Sequence, residues 1–239
     1  MKKITIFALC FAALFALQAC NSKTTKLEGI SKGQTDSLSI ALGVYFADVL
    51  KSNQWTDEVN YSLLFSTIKK IRDGKDVGMT PMQINDVVNN YMMKKQAIVS
   101  EQNIKKGKDF LDKNKTEEGV VELPSGLQYK IVEEGAGVKP EAIDTVTVHY
   151  IGKLVDGTQF ESSYERGEPA TFPLGNVIQG WIEGFQQIKE GSKAILYIPS
   201  DLAYGPQQRS PEIGPNSTLI FEVELIKVSK AAPQPENKK

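Results

Sequence analysis

The chain has 239 residues, of which 41% are apolar and 24% are charged, a composition typical of a soluble globular protein with one or two domains. Its 28 basic and 29 acidic residues nearly cancel, so no strong positive field favours nucleic acid as a partner. One histidine and two cysteines are too few for the common zinc sites. We therefore predict a protein that uses no metal and no cofactor and that binds no nucleic acid.

The first twenty residues are typical of an export signal. An apolar run follows two lysines and ends in Leu17-Gln18-Ala19-Cys20, and it is too short to span a bilayer comfortably. This ending resembles the lipobox of bacterial lipoproteins, in which the cysteine becomes the lipid-modified N-terminus. We predict a signal peptide at residues 1–19, lipidation at Cys20, and a flexible tether over residues 20–33. The expected location is a membrane-anchored lipoprotein on the outer membrane, facing the periplasm.

Three stretches with helical periodicity follow the tether. Apolar residues recur at spacings of three and four over residues 35–50 and again over residues 61–71. Thr35 or Asp36 is the expected N-cap of the first helix. The third helix begins at Thr80-Pro81-Met82-Gln83, which places an N-cap, a first-turn proline and a capping-box glutamine in order.

The third helix is the longest of the three. Because no proline follows until Pro124, it can extend for roughly thirty residues. It is apolar early and mostly charged from Lys105 onward, which is typical of a helix that bridges two domains. The two shorter helices cannot bury their apolar faces alone. The pattern over residues 34–118 leaves open whether these helices form a monomeric bundle or a dimerisation module.

After Gly119 the periodicity changes to that of β-strands. Strands are predicted over residues 127–132, 145–154, 159–161, 193–199 and 218–228, with one short apolar-faced helix between residues 178 and 188. This pattern predicts an α+β domain over residues 119–229, in which a curled antiparallel sheet covers one helix, preceded by the helical domain and its long connecting helix. Residues 230–239 are predicted to be a disordered tail.

Several motifs of this second domain are similar to those of the FKBP-type peptidyl-prolyl cis-trans isomerases. They are Val148-His149-Tyr150-Ile151-Gly152, Asp156-Gly157-Thr158-Gln159-Phe160, residues 177–184, Ala203-Tyr204-Gly205 and residues 216–225. The motifs occur in the family's order across residues 123–228. Helices joined by a long helix to such a domain, on an exported protein, resemble the macrophage infectivity potentiator-like group. That resemblance implies a homodimer formed through the N-terminal helices.

The resemblance implies an apolar cleft that accelerates X-Pro isomerisation in unfolded or folding proteins. The catalytic residues that it implies are Tyr150, Phe160, Glu161, Tyr204 and Phe221. The substrate-binding residues that it implies are Arg166, Val177, Ile178, Trp181 and Ile213. In the family, the backbone amide matching Ile178 and the hydroxyl matching Tyr204 bind substrate carbonyls.

The sequence departs from the family pattern at three places. Glu161 stands where an aspartate is usual, and Ala170 stands where an aromatic residue often forms part of the wall, which is expected to widen the cleft. The loop over residues 206–214 carries Arg209 and Glu212, so a substrate preference cannot be transferred. These departures leave an alternative open, namely a holdase chaperone or binding module with weak or no turnover. A structural envelope lipoprotein is a second alternative.

Overall fold

The structure, a computed structural model, describes residues 30–231. The predicted signal peptide, Cys20, most of the tether and most of the tail lie outside the described residues. Between residues 30 and 231, no helix has both the length and the apolar character needed to cross a membrane. The chain divides into two compact units between Val59 and Asn60.

The first unit contains helix α1 (Lys32–Ser52). The Ser31 side chain accepts a hydrogen bond from the Gln34 amide, and the Gln34 side chain accepts one from the Ser31 amide, which together form a capping box. The predicted N-cap at Thr35 or Asp36 is therefore wrong. The helix begins inside the stretch assigned to the tether because a serine and a glutamine stand at capping-box spacing there.

The second unit begins with α2 (Tyr61–Arg72) and α3 (Pro81–Asn114), which has 34 residues. Asn60 caps α2 by accepting a hydrogen bond from a backbone amide of its first turn. Thr80 and Gln83 form the capping box of α3, with a proline in the first turn, so the predicted start and length of the long helix are confirmed. The long helix belongs to the same compact unit as the sheet that follows it.

The rest of the second unit is one seven-stranded sheet with one α-helix. The strands are β1 (Val120–Glu122), β2 (Gln128–Glu133), β3 (Thr145–Leu154), β4 (Gln159–Ser162), β5 (Ala170–Pro173), β6 (Lys193–Ile198) and β7 (Leu219–Ser229). Their order is β1-β2-β6-β7-β3-β4, with β5 also paired to β3, and every pairing is antiparallel. The predicted α+β fold is confirmed. The sequence did not predict β1 and β5, which have only three and four residues.

Helix α4 (Gln179–Phe185) packs closely against β6. A Cβ at Gly180 would lie 2.3 Å from Cγ2 of Ile198, and a Cβ at Gly184 would lie 2.8 Å from Cδ1 of Leu196. These two glycines therefore let the helix backbone approach the strand.

Candidate active site

A cleft of about 340 Å³ opens between the sheet, the start of α4 and the loop that leads from β6 to β7. Its lining residues are Tyr150, Glu161, Ala170, Phe172, Asn176, Val177, Ile178, Trp181, Tyr204, Arg209 and Phe221. The volume lies at the lower end of the range that small-molecule sites occupy, and the lining combines many apolar side chains with a few polar ones. These properties are those of a site that holds a small apolar group.

Trp181 forms the floor of this cleft. Its side chain is only 6% exposed and is surrounded by four aromatic rings. The ring centroids lie 4.9 Å away for Phe221, 5.0 Å for Tyr150, 5.2 Å for Phe172 and 5.4 Å for Phe185. Most of these contacts are edge-to-face, the arrangement that ring quadrupoles favour, so the floor and walls form one packed aromatic layer.

The register of the sheet brings the walls together around Gly152. On β3, Gly152 pairs with Glu161 of β4 on one side and with Phe221 of β7 on the other. A Cβ at Gly152 would lie 2.5 Å from the ring of Phe160 and 3.0 Å from the ring of Phe221. The centroids of these two rings lie 5.7 Å apart in an edge-to-face contact, so Phe160 packs directly on Phe221.

A charged network occupies the rim. Arg166 donates to Glu161 at 2.6 Å and to the Tyr150 hydroxyl at 3.2 Å, and its guanidinium carbon lies 5.3 Å from the centre of the Tyr150 ring. Burial, followed by the neighbouring Glu161 carboxylate, raises the pKa of Tyr150. The hydrogen bond to Tyr150 raises the pKa of Arg166. The phenol therefore stays neutral, and the guanidinium stays charged, throughout the physiological pH range.

The start of α4 contributes backbone groups as well as side chains. Ile178 is the N-cap residue, and its carbonyl accepts hydrogen bonds from the amides of Trp181 and Ile182 at 2.9 and 3.2 Å. The amide of an N-cap residue has no partner within its own helix. Val177 and Ile178 both line the cleft, which places this amide at its edge.

The loop that overhangs the cleft contributes Tyr204 and Arg209. The guanidinium carbon of Arg209 lies 5.3 Å from the centre of the Tyr204 ring. Ile213 is 5% exposed and belongs to the core, where its amide donates to Ser210 Oγ and its carbonyl accepts from the Arg209 amide. Ile213 therefore holds the loop down and does not line the cleft.

Most residues that the resemblance assigned to the site line this one cleft. These are Tyr150, Glu161, Val177, Ile178, Trp181, Tyr204 and Phe221. Phe160 and Arg166 contact lining residues without lining the cleft themselves, as does Ile213 in the loop. The positions are observed, while the individual catalytic and binding roles stay predictions.

Sequence reasoning missed Phe172, Asn176 and Arg209 as lining residues. Phe172 and Ala170 occupy alternate positions of β5, so both side chains lie on the inner face. That alternation was the available signal, but β5 was too short to recognise. Asn176 ends a three-residue 3-10 helix (Leu174–Asn176), and Arg209 lies in a loop, so no periodic pattern marks either as a lining position.

A second depression, of about 300 Å³, lies on the outer side of β3, β6 and β7. Tyr164 borders it, stacks on His149 at 4.3 Å and donates to Glu224. Within residues 30–231, no group of three or more His, Cys, Asp or Glu side chains could hold a metal ion. The cleft above Trp181 is the candidate site because aromatic rings, the start of a helix and charged side chains at the rim meet there.

Comparisons with known proteins agree with this geometry. Residues 136–226 match the family described as FKBP-type peptidyl-prolyl cis-trans isomerase, and residues 35–131 match the domain amino terminal to such isomerases. The chain is 40% identical over 241 residues to the Outer membrane protein MIP of Legionella longbeachae, covering 97% of this chain and 99% of the relative. The chain belongs to the FKBP-type isomerase family.

Other relatives support the same assignment of this FKBP-type isomerase. A probable FKBP-type isomerase FkpA of Neisseria meningitidis is 42% identical over 207 residues, which cover 83% of this chain and 75% of the relative. The crystal structure of FkpA from Escherichia coli matches with a TM-score of 0.67 at 34% identity, covering 87% of this chain and all of that one. The chain is therefore a peptidyl-prolyl cis-trans isomerase, and the holdase alternative is not favoured.

Proposed function

We propose that this isomerase accelerates X-Pro isomerisation in proteins that fold outside the cytoplasm, and that the cleft above Trp181 is its site. The observation that carries the proposal is the packed aromatic cleft with the Tyr150–Glu161–Arg166 network at its rim. The sequence motifs that resemble the family surround this same cleft.

The chemistry of the reaction suits such a site. An amide resists rotation by about 18–20 kcal/mol because it is stabilised by resonance, and uncatalysed X-Pro exchange takes tens to hundreds of seconds. Rotation breaks the conjugation and makes the amide less polar. An apolar cleft that excludes water therefore favours the twisted amide over the planar one, which is transition-state stabilisation without a covalent step.

Each lining group has a proposed role in this scheme. The prolyl ring lies on Trp181, between the walls that Tyr150 and Phe221 provide. The Ile178 amide and the Tyr204 hydroxyl donate hydrogen bonds to substrate carbonyls and hold the chain on either side of the rotating bond. Such donors contribute to the rate where they bind the twisted substrate more tightly than the planar one.

A protease-coupled isomerisation assay with X-Pro peptides tests this assignment, with Tyr204→Phe as the variant. Loss of one hydrogen bond to the substrate is expected to lower kcat/KM by about five- to tenfold. Tyr164→Phe is the matched control, because this tyrosine donates to Glu224 on the other side of the sheet. The assignment is contradicted if the two variants lose activity equally, or if the wild-type protein does not accelerate the exchange.

We also propose that the protein is a homodimer through its N-terminal helices. Each of the three helices carries large apolar side chains on its surface, including Ile40 and Leu42 on α1, Phe65 on α2 and Met82 on α3, with exposures between 58% and 74%. Apolar surface on this scale is typical of an interface. A second copy is the proposed occupant because the apolar positions extend over the region that matches the family's own N-terminal domain.

Light scattering of the wild-type protein tests the dimer. The expected mass is twice that of one chain, and Leu42→Lys is expected to halve it by placing a charge in the interface. Asp36→Lys on the same helix is the control, because it changes charge at a position that is already polar and exposed. A monomeric wild-type protein would remove the proposal.

Export and lipid anchoring complete the proposed function. One relative is named an outer membrane protein, which supports an envelope location, and the N-terminal sequence supports lipidation at Cys20. In cells given a labelled fatty acid, the wild-type protein and Cys10→Ala are expected to carry the label and to sediment with membranes. Cys20→Ala is expected to do neither. A labelled Cys20→Ala protein would contradict the anchor.

A further inference from the structure

The second half of α3 lies against the loop between β6 and β7. We call residues 203–218 the rim loop, since they include Tyr204 and Arg209 of the cleft lining. We call residues 99–107 of α3 the brace segment. Brace segment and rim loop are far apart in sequence, and direct hydrogen bonds join them.

Two asparagines make these bonds, one from each side. Asn103 of the brace segment donates from Nδ2 to the Pro215 carbonyl at 2.8 Å and lies 3.3 Å from Ser217 Oγ. Asn216 of the rim loop donates from Nδ2 to Ser100 Oγ at 2.7 Å. Each hydrogen bond joins the helix to the loop, so a movement of the helix away from the loop would break both bonds.

Close packing at two glycines strengthens the contact. Gly107 is buried, and a Cβ there would lie 2.2 Å from Oγ1 of Thr218. A Cβ at Gly214 would lie 3.2 Å from both Asn103 Nδ2 and Val99 Cγ1. The helix and the loop therefore approach each other as closely as elements of one core do, and the loop cannot shift towards the helix.

Asn216 connects this contact to the cleft. Its φ is +54°, in the left-handed region that is uncommon for residues other than glycine, and the bond to Ser100 holds its side chain in place. Its backbone amide donates to the Gly205 carbonyl at 2.8 Å. Gly205 directly follows Tyr204, so two hydrogen bonds connect the helix to the residue next to a lining residue of the cleft.

We propose that the brace segment positions the rim loop for catalysis, and that Ser100 and Asn103 are positioning residues of the isomerase although neither lines the cleft. They act through Asn216 and Pro215 on the loop that carries Tyr204. The long helix is thereby part of the catalytic unit as well as a connector. The proposal rests on the isomerase activity assigned to the cleft.

The test uses the full-length protein with Ser100→Ala and Asn103→Ala, singly and together. Alanine is the best helix former, so neither change weakens α3 itself. Gln102→Ala, at an exposed position of the same turn, is the control. Two quantities are measured: kcat/KM with an X-Pro peptide, and amide hydrogen exchange over the rim loop compared with that of β3 and β7.

The double variant is expected to lower kcat/KM by about five- to tenfold and to speed rim-loop exchange by a similar factor, with β3, β7 and Tm unchanged. Asn103→Asp keeps the shape but cannot donate to the Pro215 carbonyl, so it should behave like Asn103→Ala. Ser100→Thr keeps the hydroxyl and should restore nearly wild-type values.

Three results would overturn the proposal. One is unchanged rim-loop exchange in the double variant. Another is faster exchange throughout the sheet together with a lower Tm, which would indicate a general loss of stability. The third is a faster-exchanging loop with unchanged kcat/KM. An inactive wild-type protein would instead contradict the isomerase assignment, and the exchange data would still decide whether α3 braces the loop.

Discussion

Replacement of Glu161 by glutamine tests the rim network directly. The change keeps the size of the side chain and removes the charge that Arg166 contacts at 2.6 Å. Arg166 also donates to the Tyr150 hydroxyl, so a guanidinium released from Glu161 no longer fixes the Tyr150 wall. We expect Glu161→Gln to lower activity much more than stability.

The exposures of the two side chains set the size of each effect. Arg166 is 42% exposed and Glu161 is 47% exposed, so solvent screens the pair. An exposed ion pair contributes about 0–1 kcal/mol to the free energy of unfolding, which corresponds to a Tm shift of at most about 4 °C in a protein of this size. In the cleft, the change loosens the Arg166–Tyr150 hydrogen bond that holds the wall, and the loss of one such bond should lower kcat/KM by about five- to tenfold.

The assay is protease-coupled isomerisation, with thermal unfolding followed in parallel. Glu168→Gln, at an exposed position of the loop that carries Arg166, controls for a general loss of negative charge near the cleft. Glu161→Asp adds a test of length. Because glutamate already reaches Arg166 at this backbone position, the shorter aspartate should not improve the rate, although it restores the residue usual in the family. Equal kcat/KM for wild type and Glu161→Gln would refute the reasoning.

Three further changes have expected effects that the structure fixes. Gly152→Ala drives a Cβ to 2.5 Å from the Phe160 ring, so overpacking should cost about 1–3 kcal/mol in urea unfolding and lower kcat/KM. Gly107→Ala should lower Tm although alanine has a higher helix propensity than glycine, because the alanine Cβ would lie 2.2 Å from Thr218 Oγ1. Burial acts to raise the pKa of Asp144, but two backbone amides and an ammonium group stabilise the carboxylate and hold that pKa below its ordinary value. The ionised carboxylate therefore stabilises the fold above pH ~4, and this stabilisation is lost as the pH falls and the group is protonated. Asp144→Asn should therefore lower the free energy of unfolding by about 1–3 kcal/mol at neutral pH and make it less dependent on pH in the acid range.

The parts of the fold that could be predicted from sequence are those with a local physical signal. The capping box at Thr80 and the absence of proline before Pro124 predicted the long helix, which the structure places at Pro81–Asn114. Alternating apolar residues predicted β3 over residues 145–154, the bounds that the structure gives. In both cases the backbone conformation depends on neighbours within a few residues.

Elements without such a signal were missed or misplaced. Ser31 caps α1 from a stretch that is otherwise polar and aperiodic, so the start of the helix was placed too late. Strand β5 has only four residues and depends on pairing with β3 for its conformation. The contact between Asn103 and Pro215 depends on tertiary packing alone, because no local pattern links two residues so distant in sequence.

The departures at Glu161 and Ala170 raised the question of whether this cleft still turns over. At each of the two positions, a neighbouring residue makes the contact that the departure was expected to lose. Glu161 reaches Arg166 in spite of its different length, so the charged rim is kept. Next to Ala170 on the inner face of β5, Phe172 places its ring 5.2 Å from the Trp181 ring, so the floor keeps an aromatic neighbour on that side. Because the proposed reaction depends on an apolar, water-excluding surface and not on one nucleophile, we expect such redistribution of side chains to preserve catalysis, whereas loss of a nucleophile would abolish a reaction that needs one.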